Sequence, residues 1–178
     1  MPVRFTAAGV AALAMVSAAS AAGGRPKGAP ATCGHQSLAR FQPSARDLVV
    51  GPLTLVGARE YAPPAASATF GGQKYPALVR AGHRAVVEVV RSESRTASLR
   101  YADHRGAEGG RKVTDGDRVV DFRSCSRAKA GSSYGGRAAT FWSGFVLASR
   151  PRCVHLRIWV DREPTPRRVG IPAGARCG

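Results

Sequence analysis

The nine residues from Cys153 to Asp161 alternate between apolar and polar side chains, and this alternation restricts the fold more than any other feature of the sequence. Successive side chains of a β-strand point to opposite faces, so the apolar residues fall on one face. They are Val154, Leu156, Ile158 and Val160. A period of two residues predicts a half-buried strand with one wet face. The chain therefore has to build a sheet that covers a core on one side.

Further short apolar runs follow the first 21 residues, and turns rich in Gly, Pro, Asp and Ser separate them, which is typical of strands. The runs are 48–56, 85–90, 97–101, 118–125, 140–147 and 167–171. Gly51-Pro52 makes the first run an edge strand or two short pieces, because proline removes a hydrogen-bond donor. A helical period never holds for ten residues, and only a short turn of helix around Ser37 to Phe41 is expected.

These segments predict an all-β protein, specifically an antiparallel β-sandwich of about seven short strands that is immunoglobulin-like in design. A small β-barrel is the alternative. Antibody domains carry a tryptophan between two cysteines that join the sheets, and Trp142 does lie between Cys125 and Cys153. That separation is too short for the usual bond between sheets. The sequence therefore supports the architecture and not the family.

The start of the chain has the parts of a secretory signal peptide: a positive charge at Arg4, an apolar stretch from Phe5 to Val16, and the cleavage pattern Ala19-Ser20-Ala21. A membrane anchor is the alternative, but it needs about 20 apolar residues. We expect a signal peptide at 1–21, a disordered leader rich in Gly and Pro at 22–32, and a single domain at 33–178. The mature protein would be secreted, without a transmembrane span, and either free or associated with the cell wall.

The four cysteines are an even number in a chain that we expect to be exported, which indicates two disulfides. They are Cys33, Cys125, Cys153 and Cys177, and none belongs to a C-x-x-C pair of a redox or zinc site. We favour Cys125–Cys153 with Cys33–Cys177, because the second bond would tie the start of the domain to its end. The pairing of Cys33 with Cys125 and Cys153 with Cys177 stays open, since loop entropy does not separate the two schemes.

The chain is strongly basic, with 27 Lys and Arg residues against 11 Asp and Glu residues and a net charge of +16. Such a charge attracts polyanions, including nucleic acid, acidic wall polymers and anionic lipid. The basic residues are scattered in ones and twos, however, which favours a compositional origin over a dedicated role. We expect no specific nucleic-acid binding; the partners left are an anionic polymer or an envelope protein.

No catalytic or metal-binding motif stands out. Gly-x-Ser-x-Gly is absent, and Ser143 before Gly144 is typical of a small residue on a strand. Asp115-Gly116-Asp117 lacks the remaining acid of a calcium loop and predicts a turn. The histidines, which share no metal-ligand spacing, are His35, His83, His104 and His155. We expect no enzyme activity, metal or cofactor; a small extracellular hydrolase is the alternative if the fold unites histidines with an acid.

The wet face of the 153–161 strand is the candidate ligand surface. It presents His155, Arg157 and Trp159 in a row, and Arg167 and Arg168 join them if the last two strands pair. An aromatic ring between arginines suits a polyanion or a carbohydrate. The alternative is that this face packs beneath a sheet edge or a loop, with Trp159 covering apolar surface.

Four stretches in the last third to half of the chain form a loose pattern: VDFRSC (120–125), FWSGF (141–145), RCVHL (152–156) and GARC (174–177). The pattern resembles small secreted proteins of GC-rich actinobacteria that have no assigned function. The resemblance implies export and a bond between Cys125 and Cys153. It implies no catalytic residue, because none is established in those proteins.

Overall fold

The computed structural model describes residues 24–61, 63–101 and 111–178, and within them the chain is mostly β-structure. The strands are β1 (Ala29–Ala31), β2 (Arg40–Phe41), β3 (Leu48–Val50), β4 (Leu53–Leu55), β5 (Gly72–Lys74), β6 (Ala77–Arg80), β7 (Arg84–Val89), β8 (Ala97–Arg100), β9 (Val119–Arg123), β10 (Ser132–Tyr134), β11 (Arg137–Trp142), β12 (Phe145–Ala148), β13 (Arg152–Val160) and β14 (Arg167–Ala173). The prediction of an all-β protein is confirmed. The expected signal peptide and His104 lie outside the described residues.

The predicted strand β13 lies in a five-stranded sheet with the order β1-β9-β7-β13-β14. β13 pairs antiparallel with β7 on one side and with β14 on the other. Its four apolar residues are 0–2% exposed and lie in the main core, as the alternation predicts: Val154, Leu156, Ile158 and Val160. The last two strands of the chain therefore do pair.

Two further sheets have the strand orders β2-β10-β11-β6-β4-β3 and β5-β12-β8. Buried residues of all three sheets meet in one hydrophobic cluster, which includes Leu53 of β4, Val87 of β7 and Val146 of β12. The expected number of about seven strands is too low, because strands of two or three residues show no alternation that would reveal them. The sheets are also not purely antiparallel, since β1 pairs parallel with β9 and β2 pairs parallel with β10.

The run 140–147 is two strands and not the single strand that its apolar pattern predicts. β11 ends at Trp142 in the six-stranded sheet, and β12 begins at Phe145 in the three-stranded sheet. Between them Gly144 passes so close to the ring of Tyr101 that an added β-carbon would lie 2.1 Å from Cδ1. Its carbonyl accepts a hydrogen bond from the Tyr75 N–H at 3.1 Å. The glycine therefore lets the chain change sheets over a buried aromatic ring.

The expected disordered leader, 22–32, is ordered at its end, which corrects the domain boundary. Ala29–Ala31 form β1, and Ala29 pairs with Val120 of β9. Gly28 sits against Val119, where a β-carbon would come within 2.7 Å of the valine side chain. The carbonyl of Thr32 accepts a hydrogen bond from the indole of Trp142 at 3.0 Å. The folded domain thus begins before Cys33.

The helix expected around Ser37 to Phe41 is wrong, because this segment lies along sheet edges. Ser37 forms a β-bridge with Phe141, and residues 40–41 are β2. The helical structure of the described residues is α1 (Pro64–Phe70) with 3-10 turns at Cys33–His35, Arg91–Glu93 and Val113–Asp115. None of these helices is long and apolar enough to cross a membrane.

The two disulfides join Cys33 to Cys125 and Cys153 to Cys177, so the favoured pairing is wrong and the pairing that stayed open is present. The reason lies in the sheet. Because β1 and β9 run parallel, the residues that follow them, Cys33 and Cys125, emerge at the same end. Cys153 is the second residue of β13, and the chain after β14 turns back to place Cys177 beside it.

Candidate functional site

An open groove of about 970 Å³ lies between the 3-10 turn Arg91–Glu93 and the strands β13 and β14. We call it the β13–β14 groove. The polar side chains in its wall are Arg91, Ser92, Glu93, His155, Arg157 and Arg168. Three of the five residues predicted as a ligand surface are among them. The other three polar side chains belong to the 3-10 turn, and the sequence pattern did not indicate them.

Glu93 anchors the 3-10 turn to β13 through His155. Its Oε2 accepts a hydrogen bond from the backbone N–H of His155 at 2.9 Å, and its Oε1 lies 2.7 Å from Nδ1 of the ring. Nη2 of Arg152 lies 3.4 Å from the same oxygen. Burial opposes ionisation of Glu93, but the bonds from His155 and the charge of Arg152 outweigh it and lower the pKa. The ionised carboxylate accepts a hydrogen bond from the Nδ1–H of His155. The other ring nitrogen, Nε2, is then the one that a ligand in the groove can contact.

Arg157 reaches across the sheet to Glu88, which lies directly opposite on β7. Nε of Arg157 donates to Oε2 of Glu88 at 2.7 Å, and Arg118 binds the other oxygen. The Glu88 side chain is only 2% exposed, whereas both arginines are more than a third exposed. Two guanidinium groups thus share one buried carboxylate, and the group of three residues keeps a net positive charge.

Trp159 is not part of the exposed surface, which corrects the prediction of an aromatic platform. It is 1% exposed and packs with Val86 and Val119 on the outer side of the five-stranded sheet. The guanidinium of Arg157 lies 5.3 Å from its ring centroid. Trp159 therefore covers apolar surface, which is the alternative that the sequence left open. No base or sugar ring can stack on its buried indole.

The two arginines of β14 have different surroundings. Arg168 lies opposite Arg157 in the register, lines the groove and forms no ion pair within the described part of the chain. Arg167 turns instead to Glu163, with a distance of 3.1 Å from Nη2 to Oε1. The structure therefore brings His155, Arg157 and Arg168 together in the groove and leaves Trp159 and Arg167 out of it.

The other polar residues considered for chemistry have structural surroundings. Asp115 accepts a hydrogen bond from the Lys112 N–H at 2.7 Å and caps a 3-10 turn. His83 pairs with Asp161 at 2.8 Å, apart from the β13–β14 groove. In the described residues no three Asp, Glu, His or Cys side chains could hold a metal ion. Comparison of the chain with models of protein families, with curated proteins and with solved structures finds no match.

Proposed function

We propose that this protein is an exported, non-enzymatic β-sandwich module that binds an anionic polymer of the cell envelope in the β13–β14 groove. The core shared by the five-stranded and six-stranded sheets supports the sandwich, in which two sheets cover one hydrophobic layer. The immunoglobulin-like form of the sandwich and the resemblance to actinobacterial secreted proteins stay predictions.

The charge of the groove carries this proposal. Arg91, Arg157 and Arg168 line it, while its one acidic side chain, Glu93, is buried and held by His155 and Arg152. Arg91 and Arg168 therefore offer the groove two cations that form no ion pair within the described residues, while Arg157 shares the Glu88 carboxylate with Arg118. Arginine is well suited to such a site, because its planar guanidinium binds carboxylate and phosphate oxygens in pairs.

Export is supported by the disulfides. Within the described residues all four cysteines are bonded, and no free thiol occurs. Disulfides persist in oxidising compartments and are rare where thiols are kept reduced. An exported protein meets the acidic polymers of the cell envelope, so export and polymer binding are consistent with each other.

The test is the affinity of the full chain for heparin and polyphosphate at about 0.15 M salt. We expect the double variant Arg91→Ala, Arg168→Ala to bind several-fold more weakly and to lose part of the salt dependence, because fewer counterions are released. The double variant Arg59→Ala, Arg150→Ala removes the same charge from exposed positions outside the groove. Equal loss in both variants would mean that net charge alone binds the polymer, and the groove would not be the site.

A second candidate function, a small hydrolase, is favoured by the Glu93–His155 pair alone. A carboxylate that holds Nδ1 orients the imidazole as a general base. Chromogenic esters and phosphodiesters test it. Hydrolysis that Glu93→Gln and His155→Ala both abolish, but that His83→Ala retains, would favour the enzyme over the binding module.

A further inference from the structure

The outer face of the six-stranded sheet carries apolar side chains, which we call the apolar strip, and a group of arginines beside them. The register places Val49 of β3, Thr54 of β4 and Leu78 of β6 side by side on this face. Arg80 follows two residues after Leu78 and therefore points to the same side. Arg137 and Ala139 of β11 continue this face, since Ala139 pairs with Arg80.

Arg80 and Arg137 are part of a cationic concavity of about 780 Å³, which we call the arginine shelf. Arg127, from the loop after β9, and His83 line it as well. The three arginines are exposed, and within the described residues none forms an ion pair, nor does an acidic side chain line the shelf. The nearest carboxylate to His83, that of Asp161, is occupied by the His83 ring and by the Arg84 N–H.

The apolar strip forms a smaller cavity of about 130 Å³ next to the shelf. Val49, Pro52, Leu78 and Tyr134 line it, and it shares the side chains of Arg80 and Arg137 with the shelf. Val49 is 50% exposed on an edge strand. The hydroxyl of Tyr134 is bound to Asp47 at 2.8 Å, which leaves its ring as the part that a ligand can contact. The two cavities are therefore neighbouring halves of one amphipathic depression.

We propose that this depression binds an anionic amphiphile: a phosphate monoester on the arginine shelf, with its alkyl substituent in the smaller cavity against Val49 and the ring of Tyr134. The three arginines of the shelf supply positive charge without an ion-pair partner in the described residues, and a guanidinium group binds phosphate oxygens in pairs. The adjoining apolar lining gives a hydrocarbon substituent a place that free phosphate cannot use. The site lies on a different sheet from the β13–β14 groove, so it does not depend on the proposed function.

The experiment is calorimetric titration of the full chain with octyl phosphate, below the concentration at which it forms micelles, and with inorganic phosphate. We expect octyl phosphate to bind about tenfold more tightly, the gain that burial of two methylene groups gives. Arg80→Ala with Arg137→Ala should abolish binding of both ligands. Val49→Ser should weaken octyl phosphate alone, because it removes apolar surface from the smaller cavity without adding a charge beside Arg80 and Arg137.

Arg59→Ala with Arg150→Ala is the matched control for charge, and Arg168→Ala is the control for the groove; neither should alter octyl phosphate binding. Circular dichroism of each variant checks that it is folded. Equal affinity for the two phosphates would overturn the proposal, since the apolar half would then have no role. Saturable binding of polyphosphate alone would also overturn it and would make the shelf a second polyanion surface.

Discussion

Gly170 on β14 lies against the sulfur atoms of the Cys153–Cys177 disulfide. A β-carbon added to Gly170 would stand 2.8 Å from Sγ of Cys153 and 3.1 Å from Sγ of Cys177. In the register Gly170 is opposite His155, two residues beyond Cys153, so the disulfide crosses the strand where a side chain is absent. The disulfide can pack this closely against β14 only because residue 170 has no side chain. Both lie in one wall of the β13–β14 groove.

We predict that Gly170→Ala destabilises the folded protein by about 1–3 kcal/mol, the cost of forcing an extra carbon into a filled space. The close atoms belong to a covalent bridge, which cannot rotate away as a flexible side chain would. Urea unfolding under oxidising conditions measures the free energy of unfolding.

Gly24→Ala is the control for that variant, because nothing lies within 4 Å of a β-carbon at Gly24. Any change in stability there reports the backbone effect of replacing glycine. If Gly170→Ala were no less stable than Gly24→Ala, the disulfide would not lie over β14 as described.

The shared carboxylate of Glu88 gives a second prediction. Glu88→Gln should lower the free energy of unfolding by about 1–3 kcal/mol, because two arginines lose their counter-charge at a buried position. The lower end of this range reflects the exposure of both guanidinium groups. Thermal unfolding at low and at high salt would measure the loss.

Glu163→Gln is the matched variant, since Glu163 forms an exposed pair with Arg167 four residues later. Exposed ion pairs contribute only about 0.2–1 kcal/mol. An equal effect of the two variants would contradict a special role for the buried carboxylate.

Acid should destabilise the fold through Glu93 and Asp121. Burial opposes ionisation of Asp121, but hydrogen bonds from Arg84 and Arg123 outweigh it and lower its pKa from the ordinary 3.8; that of Glu93 is lowered from 4.5. A lowered folded pKa means that the unfolded chain binds protons first as the pH falls. The stabilisation is present at neutral pH and is lost from about pH 4.5 downward. Asp121→Asn should flatten this part of the stability curve measured by urea unfolding.

Asp117 supplies a control of opposite sign, because burial raises its pKa above the ordinary 3.8. Its ionised form is disfavoured in the folded state, so it adds stability as the pH falls. Asp117→Asn should therefore steepen the loss of stability in acid or leave it unchanged. A curve that Asp117→Asn flattens as much as Asp121→Asn does would contradict the assignment.

The sequence predicts β13 well because nine alternating residues report directly which face is buried. β1 has no such pattern: Ala29–Ala31 become a strand only by pairing with β9, some ninety residues away along the chain. The Cys33–Cys125 bond follows from that pairing, so the correct disulfides cannot be predicted when residues 22–32 are expected to be disordered. The break at Gly144 likewise depends on Tyr101, which lies on a different segment.

Three of the six polar side chains in the wall of the β13–β14 groove could be predicted from the sequence. The alternation along β13 places His155 and Arg157 on one face, and the pairing of the last two strands adds Arg168. Glu93 reaches His155 from a 3-10 turn 62 residues earlier, which no spacing reveals. Alternation also gives the direction of Trp159 correctly but not its burial, because the outer face of this sheet is itself partly covered.

The two disulfides should contribute unequally to stability. They close loops with separations of 92 and 24 residues, for which the chain-entropy relation gives upper limits of about 4.6 and 3.4 kcal/mol. Replacement of Cys33 and Cys125 by alanine should therefore cost about 1 kcal/mol more than replacement of Cys153 and Cys177. The first bond also holds the end of β1 against the end of β9, so hydrogen exchange in β1 should rise only in the first variant. Mass spectrometry of a non-reduced digest verifies both bonds beforehand, and a larger loss on removing the shorter loop would contradict this ranking.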